Sequence, residues 1–139
     1  MYYRHDELEY GVPFELYQQC LAAIRKLLIE LRYPLIIEVR FTPKHSAAML
    51  GPGTGPSQRT AYLEITPSMS RPTDEMFKAV EQILLQYQGR PHFGKKTYVD
   101  RGGLRSIYST DVLDRFEAAR SSQDPGGKFL NEFTERLFI

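Results

Sequence analysis

The sequence predicts an α+β domain, an antiparallel sheet with helices packed on one face. Three observations predict it. Two stretches space their apolar residues three and four apart, as helices with one buried face do. Two others alternate apolar and polar residues and are rich in β-branched side chains. Along the chain these give strand, helix, strand, strand, helix and then further helices, an order suited to helices lying on an antiparallel sheet.

A first short strand is expected over Leu8 to Val12, and Pro13 suits the first turn of a helix, where its missing N–H is not needed. From Phe14 to Arg32, Tyr17, Cys20, Leu21, Ile24, Leu27, Leu28 and Leu31 form one apolar stripe about five turns long. Tyr33-Pro34 stops that helix, because proline pushes its predecessor out of helical geometry. Leu35 to Pro43 is then a strand, with Leu35, Ile37, Val39 and Phe41 on one side and Ile36, Glu38, Arg40 and Thr42 on the other. Arg59 to Thr66 repeats the design, with Ala61, Leu63 and Ile65 opposite Thr60, Tyr62, Glu64 and Thr66. Between the two lies Leu50 to Ser57, a loop by its Gly and Pro content. Thr73 is the expected N-cap of the second helix, followed by Asp74 and Glu75 at the positive end of its dipole. Met76, Phe77, Val80, Ile83, Leu84 and Tyr87 form its buried stripe, and Gly89 is the expected terminator. A third helix is predicted from Thr110 to Arg120, burying Val112, Leu113, Phe116 and Ala119. After the break at Asp124-Pro125-Gly126-Gly127, a last helix covers Phe129 to Leu137.

The bulk properties exclude several function classes. The 139 residues carry 18 basic against 17 acidic side chains, a net charge of +1, so no global field calls for nucleic acid or an anionic membrane. Length and the lack of a linker lead us to expect a single domain over residues 1–139. One cysteine, Cys20, forms no internal disulfide, and no apolar run reaches the length of a membrane span. The polar start has no signal-peptide core, so a cytoplasmic, reducing setting is the default expectation. Three histidines, His5, His45 and His92, have no metal-ligand spacing, and no metal is expected. Gly51-Pro52-Gly53-Thr54-Gly55 lacks the Lys-Ser/Thr that a phosphate-binding loop requires.

Chemistry is concentrated on one sheet face. Glu38 and Arg40 project from the same side of their strand, about 6–7 Å apart. A carboxylate beside a guanidinium can hold adjacent hydroxyls of a polyol, one accepting and the other donating. The same pair is equally an exposed ion pair worth under about 1 kcal/mol. Glu64 and Thr66 decorate the equivalent face of the neighbouring strand. His92 and Lys95 stand in a Gly- and Pro-flanked segment, where a lysine held in a pocket can stabilise an alkoxide and a lysine in water does nothing specific.

Three runs resemble one family, in its order and with comparable spacings: Ile37-Glu38-Val39-Arg40-Phe41-Thr42-Pro43, Gly89-Arg90-Pro91-His92-Phe93-Gly94-Lys95, and Asp124-Pro125-Gly126-Gly127-Lys128-Phe129-Leu130-Asn131. They resemble the C-terminal region of the FAD-linked sugar-lactone oxidases, which include the D-arabinono-lactone, L-gulono-lactone and alditol oxidases of the vanillyl-alcohol-oxidase superfamily. The resemblance runs from Leu8 to the C-terminus. It implies a cap-like substrate domain whose flavin is bound mainly by an N-terminal domain not recognisable in this sequence. It implies Arg40 and Lys95 as catalytic groups and Glu38, Glu64, Thr66 and His92 as substrate-binding groups. The implied substrate is a sugar lactone or polyol, the implied cofactor FAD, and the implied partner a separate flavin-binding domain or subunit. An apolar face left uncovered where such a domain docks would lead to self-association. The family pattern is His-Trp-x-Lys, and here Phe93 replaces Trp, losing the indole donor. That departure, with the missing cofactor module, supports a second expectation, a non-catalytic descendant that binds a polyol or a protein.

Overall fold

The computed structural model describes residues 6–45, 47–67 and 72–139. These form two compact units, one of the residues up to His45 with Gly51–Tyr98, the other of Ala47–Leu50 with Val99–Ile139. The first unit runs β1 (Leu8–Pro13), α1 (Tyr17–Glu30), β2 (Leu35–Pro43), β3 (Arg59–Pro67), α2 (Asp74–Gln86) and β4 (Arg90–Pro91). Its sheet has the order β2-β3-β1-β4, with every neighbouring pair antiparallel. A β-α-β-β-α-β chain in that strand order is a ferredoxin-like arrangement. The predicted antiparallel α+β class is therefore present, with a β4 too short to show as a periodic run.

The hydrophobic core lies between the helices and one sheet face. Leu8, Tyr10 and Val12 of β1 and Leu63 and Ile65 of β3 meet Cys20, Ile24 and Leu28 of α1 and Met76, Phe77, Val80 and Leu84 of α2. Burying a side chain of Leu, Ile or Phe size stabilises by about 1.5–3 kcal/mol, so this face carries the stability and the opposite face is free for other work. One carboxylate enters the core. Glu81 is buried on α2 and accepts hydrogen bonds from the Tyr10 hydroxyl, from Thr97 Oγ1 at 2.8 Å and from the Tyr98 backbone N–H at 2.8 Å. Three donors remove the penalty that an unpaired buried polar group would impose.

Several local expectations are corrected. Pro13 does not open α1; it ends β1 opposite Thr60, and a turn over residues 14–16 precedes the helix. Leu31 is exposed rather than part of the buried stripe. Thr73 occupies the N-cap position of α2, but its hydroxyl donates to Asp6 at 3.4 Å instead of capping. Gly89 is not the left-handed terminator: Gln88 takes that position at φ 60°, and Gly89 N–H closes the turn onto the Leu84 carbonyl at 2.8 Å. Gly89 is needed for close approach, because a Cβ there would stand 2.6 Å from the Leu84 oxygen. Arg32 ends α1 in the same way, at φ 49°, with the Tyr33 N–H bonded to the Leu28 carbonyl at 2.9 Å.

The second unit is helical: α3 (Arg101–Ile107), α4 (Thr110–Gln123) and α5 (Glu132–Phe138). The first of these was not expected, because Gly102 and Gly103 break its apolar pattern; Asp100 caps it, accepting from the Gly103 N–H at 2.8 Å. On α4 only Leu113 is fully buried, while Ala119 is exposed. Phe129 is exposed ahead of α5, which begins after Asn131. Asn131 Oδ1 accepts from the N–H groups of Phe133 and Thr134, and the Thr134 hydroxyl accepts from the Asn131 N–H, a complete capping box. Among the described residues, no helix is long and apolar enough to cross a membrane.

Candidate functional site

The sheet register builds the polar face in rows. Glu9 of β1 and Glu38 of β2 both stand opposite Glu64 of β3, so three carboxylates share one row. The next row is Gly11, Tyr62 and Arg40, and the next Pro13, Thr60 and Thr42. Like charges directly opposite each other in a sheet are destabilising, so three adjacent carboxylates need a cation. Arg40 supplies it from the neighbouring row. Its Nη2 bonds to Glu9 and, at 2.9 Å, to Glu64 Oε2, and its Nε lies 3.5 Å from Glu38 Oε1. The hydrogen bond to Glu9 is the main reason the guanidinium holds its proton even more firmly than usual, burial opposing and the charges of Glu9, Glu64 and Glu38 adding to it. Glu9 is 2% exposed and Arg40 51%, so the pair joins a buried anion to a cation that water still reaches.

Around this cluster is a hollow of about 250 Å³ lined by Glu9, Arg40, Thr42, Tyr62 and His92. Thr42 Oγ1 is buried there without a hydrogen-bond partner. His92 arrives because its N–H extends the ladder onto the Glu9 carbonyl at 2.9 Å. Its Nδ1 accepts from the Gly94 N–H at 3.1 Å, which leaves the proton of a neutral imidazole on Nε2 as a free donor. The Gly- and Pro-rich segment after β2 folds over one end of the face. Gly11 has room for nothing larger, since a Cβ would meet the Pro52 oxygen at 2.2 Å, and Arg90 Nη1 donates to Thr54 Oγ1 at 2.8 Å.

Of the residues singled out in the sequence, Glu38, Arg40 and Glu64 are joined in one ion cluster, Thr66 approaches it through Glu64 Oε1 at 3.5 Å, and His92 lines the hollow. Lys95 is separate from them. Its ammonium is paired with Glu7, and it is not among the residues lining the hollow. Sequence reasoning missed Glu9, although the signal was present: in Leu8-Glu9-Tyr10 the alternation that buries Leu8 and Tyr10 on the helix side puts Glu9 on the polar side. Among the described residues, no group of three or more His, Cys, Asp or Glu side chains is placed to hold a metal ion.

In the ion cluster beside the hollow, acceptors outnumber donors. Three carboxylates surround one guanidinium, an excess of two negative charges, and six carboxylate oxygens exceed the five N–H groups of the arginine. Spare acceptors favour hydroxyl donors and repel anions. The family model for D-arabinono-1,4-lactone oxidase matches residues 1–137. The chain belongs to that family. The L-gulono-1,4-lactone dehydrogenase of Mycobacterium tuberculosis is 33% identical over 136 residues, covering 96% of this chain and 31% of the relative. The L-gulonolactone oxidase of Bos taurus is 28% identical over 141 residues, with 94% and 30% covered, and that of Mus musculus 27% over 141, with the same shares. The chain thus spans about three-tenths of the length of these lactone-oxidase relatives.

Proposed function

We propose that this chain forms the substrate-binding part of a flavin-dependent oxidoreductase acting on the CH–OH group of a sugar lactone or alditol. The single observation that carries this reading is the hollow on the polar face, where the unpartnered Thr42 hydroxyl sits beside the Glu9 carboxylate and the donors of Arg40 and His92. At about 250 Å³ it is smaller than the roughly 300–1,000 Å³ of most small-molecule sites, which suits a small polyol held on one side. Glu38, Glu64, Thr66 and His92 orient the hydroxyls, and Arg40 and Lys95 polarise the reacting oxygen as its proton leaves. For Lys95 this requires exchanging Glu7 for the substrate.

FAD is the cofactor that family membership suggests, and when bound it supplies the hydride acceptor. The hollow does not fit the dinucleotide part of that cofactor, because at about 250 Å³ it is too small for it and its one guanidinium is already engaged by carboxylates. We therefore assign the flavin to a separate domain or subunit. A second reading, a polyol-binding relic without catalysis, is favoured by the pairing of Lys95 with Glu7 and by Phe93 in place of the family's Trp. Affinity capture of the chain from its native source separates these readings. A yellow eluate whose flavin absorbance bleaches on adding L-gulono-1,4-lactone supports the oxidoreductase. A colourless eluate that still binds the lactone supports the relic, and a colourless eluate with no lactone binding refutes both.

A further inference from the structure

The helical unit holds a pocket of its own, of about 370 Å³. That volume falls within the roughly 300–1,000 Å³ of small-molecule sites. Its walls are one face each of α3 and α4, because positions three and four apart on a helix are neighbours. Leu104, Leu113 and Leu137 are buried and, with Phe138, form an apolar floor. Arg101 and Arg105 of α3 supply two positive charges, and Asp114 and Glu117 of α4 two negative ones. These four charges are not paired with one another. Arg101 Nη1 donates to the Ile139 carbonyl at 2.7 Å, while its Nε is buried without a hydrogen-bond partner. Among the described residues, the side chains of Arg105, Asp114 and Glu117 form no hydrogen bond or ion pair. By contrast Asp111 and Arg115, also on α4 but outside the pocket, pair at 3.1 Å.

We propose that this pocket binds a small zwitterion with an aliphatic side chain, an apolar α-amino acid. A buried donor without an acceptor costs free energy until one is supplied. Arg101 Nε is such a donor, and a ligand carboxylate meets it with Arg105 alongside. The two positive and two negative charges of the walls cancel, and that balance selects the ligand. A plain anion is attracted by the arginines and repelled by Asp114 and Glu117, and a plain cation meets the reverse. A ligand carrying both signs is attracted by both walls. Its ammonium group donates to the Asp114 and Glu117 carboxylates, which are acceptors only. The apolar floor then takes the side chain, since burying apolar surface is favourable in proportion to its area. Leucine therefore suits the pocket better than glycine. None of these residues lines the polar-face hollow, so the proposal does not depend on what the hollow binds.

The test is a calorimetric titration of the full chain with L-leucine at millimolar concentration, run beside its two halves. One is 3-methylbutylamine, which lacks the carboxylate; the other is 4-methylpentanoate, which lacks the ammonium. Saturable leucine binding is expected, with each half at least about tenfold weaker, as losing a hydrogen bond to a charged group makes it. Arg105→Met weakens leucine and 4-methylpentanoate without weakening 3-methylbutylamine. Glu117→Gln weakens leucine and 3-methylbutylamine without weakening 4-methylpentanoate. Arg105 is exposed and Glu117 half-buried, and both substitutions keep most of the side-chain volume, so both variants fold, as far-UV circular dichroism checks. No saturable leucine binding, equal binding of leucine and either half, or folded variants with native leucine affinity would overturn the proposal.

Discussion

Replacing Arg40 with Met removes the guanidinium that holds Glu9, Glu64 and Glu38 together while keeping most of the side-chain volume. The cost follows from how buried each partner is. Breaking a fully buried ion pair by deleting one side costs about 3–5 kcal/mol, and an exposed pair is worth under about 1 kcal/mol. Glu9 is 2% exposed and belongs with the first case; Arg40, at 51%, lets water in and belongs with the second. Between these limits, and with Glu64 left facing Glu9 and Glu38 next in the same row, Arg40→Met should destabilise by about 2–3 kcal/mol. Most of that is the penalty of an abandoned charge, so adding Glu9→Gln should recover at least about 1 kcal/mol of it as a coupling energy. Urea unfolding followed by far-UV circular dichroism measures both, with the slope against urea unchanged. Arg40→Met within about 0.5 kcal/mol of the native chain, or a double variant no more stable than Arg40→Met, would refute the reasoning.

Other perturbations test other parts of the structure. Arg32 and Gln88 hold left-handed helix-terminal positions, where glycine carries no Cβ penalty, so Arg32→Gly and Gln88→Gly should each stabilise by about 0.5–1 kcal/mol in the same urea assay. Burial pushes the Cys20 thiol up to about 12, so a thiol reagent at mildly alkaline pH should label the unfolded chain and spare the native one. The Asp74 carboxyl is held below its ordinary range, first by the Tyr98 hydroxyl at 2.7 Å and then by Lys96. A lowered folded-state value means a stabilising contribution that is present at neutral pH and disappears as pH falls through that value. The stability difference between native chain and Asp74→Asn should accordingly be constant near neutrality and vanish in acid, as read from urea midpoints across pH.

The layout was legible where one strong period persisted. The helix stripes of α1 and α2 and the alternation of β2 and β3 each span nine residues or more, and the structure has all four. What the sequence hid was decided by tertiary contacts or by backbone conformation without a compositional marker. Arg90–Pro91 is a strand only because β1 offers it a ladder, and a proline in it argues against a strand on propensity. Gln88 and Arg32 adopt positive φ where glycine is the usual signal. Glu38, Arg40 and Glu64 were visible as one face, since alternation along a strand is local information. Thr42 and Glu9 required the register, because neither the unpartnered hydroxyl nor the buried carboxylate is apparent until β1, β3 and β2 are aligned. Lys95 illustrates the limit of motif matching: its position follows the family pattern, but its present partner, Glu7, lies in a distant part of the sequence.

The central claim is that the polar-face hollow binds a neutral polyhydroxy lactone. A backbone amide chemical-shift titration of the full chain with L-gulono-1,4-lactone at millimolar concentration tests it most directly, run beside the open-chain anion of the same sugar. Saturable shifts clustered at Glu9, Arg40, Thr42, Tyr62 and His92, weakened in Thr42→Val and absent with the anion, are the predicted result. No shifts at those residues, or equal shifts with the anion, would contradict it.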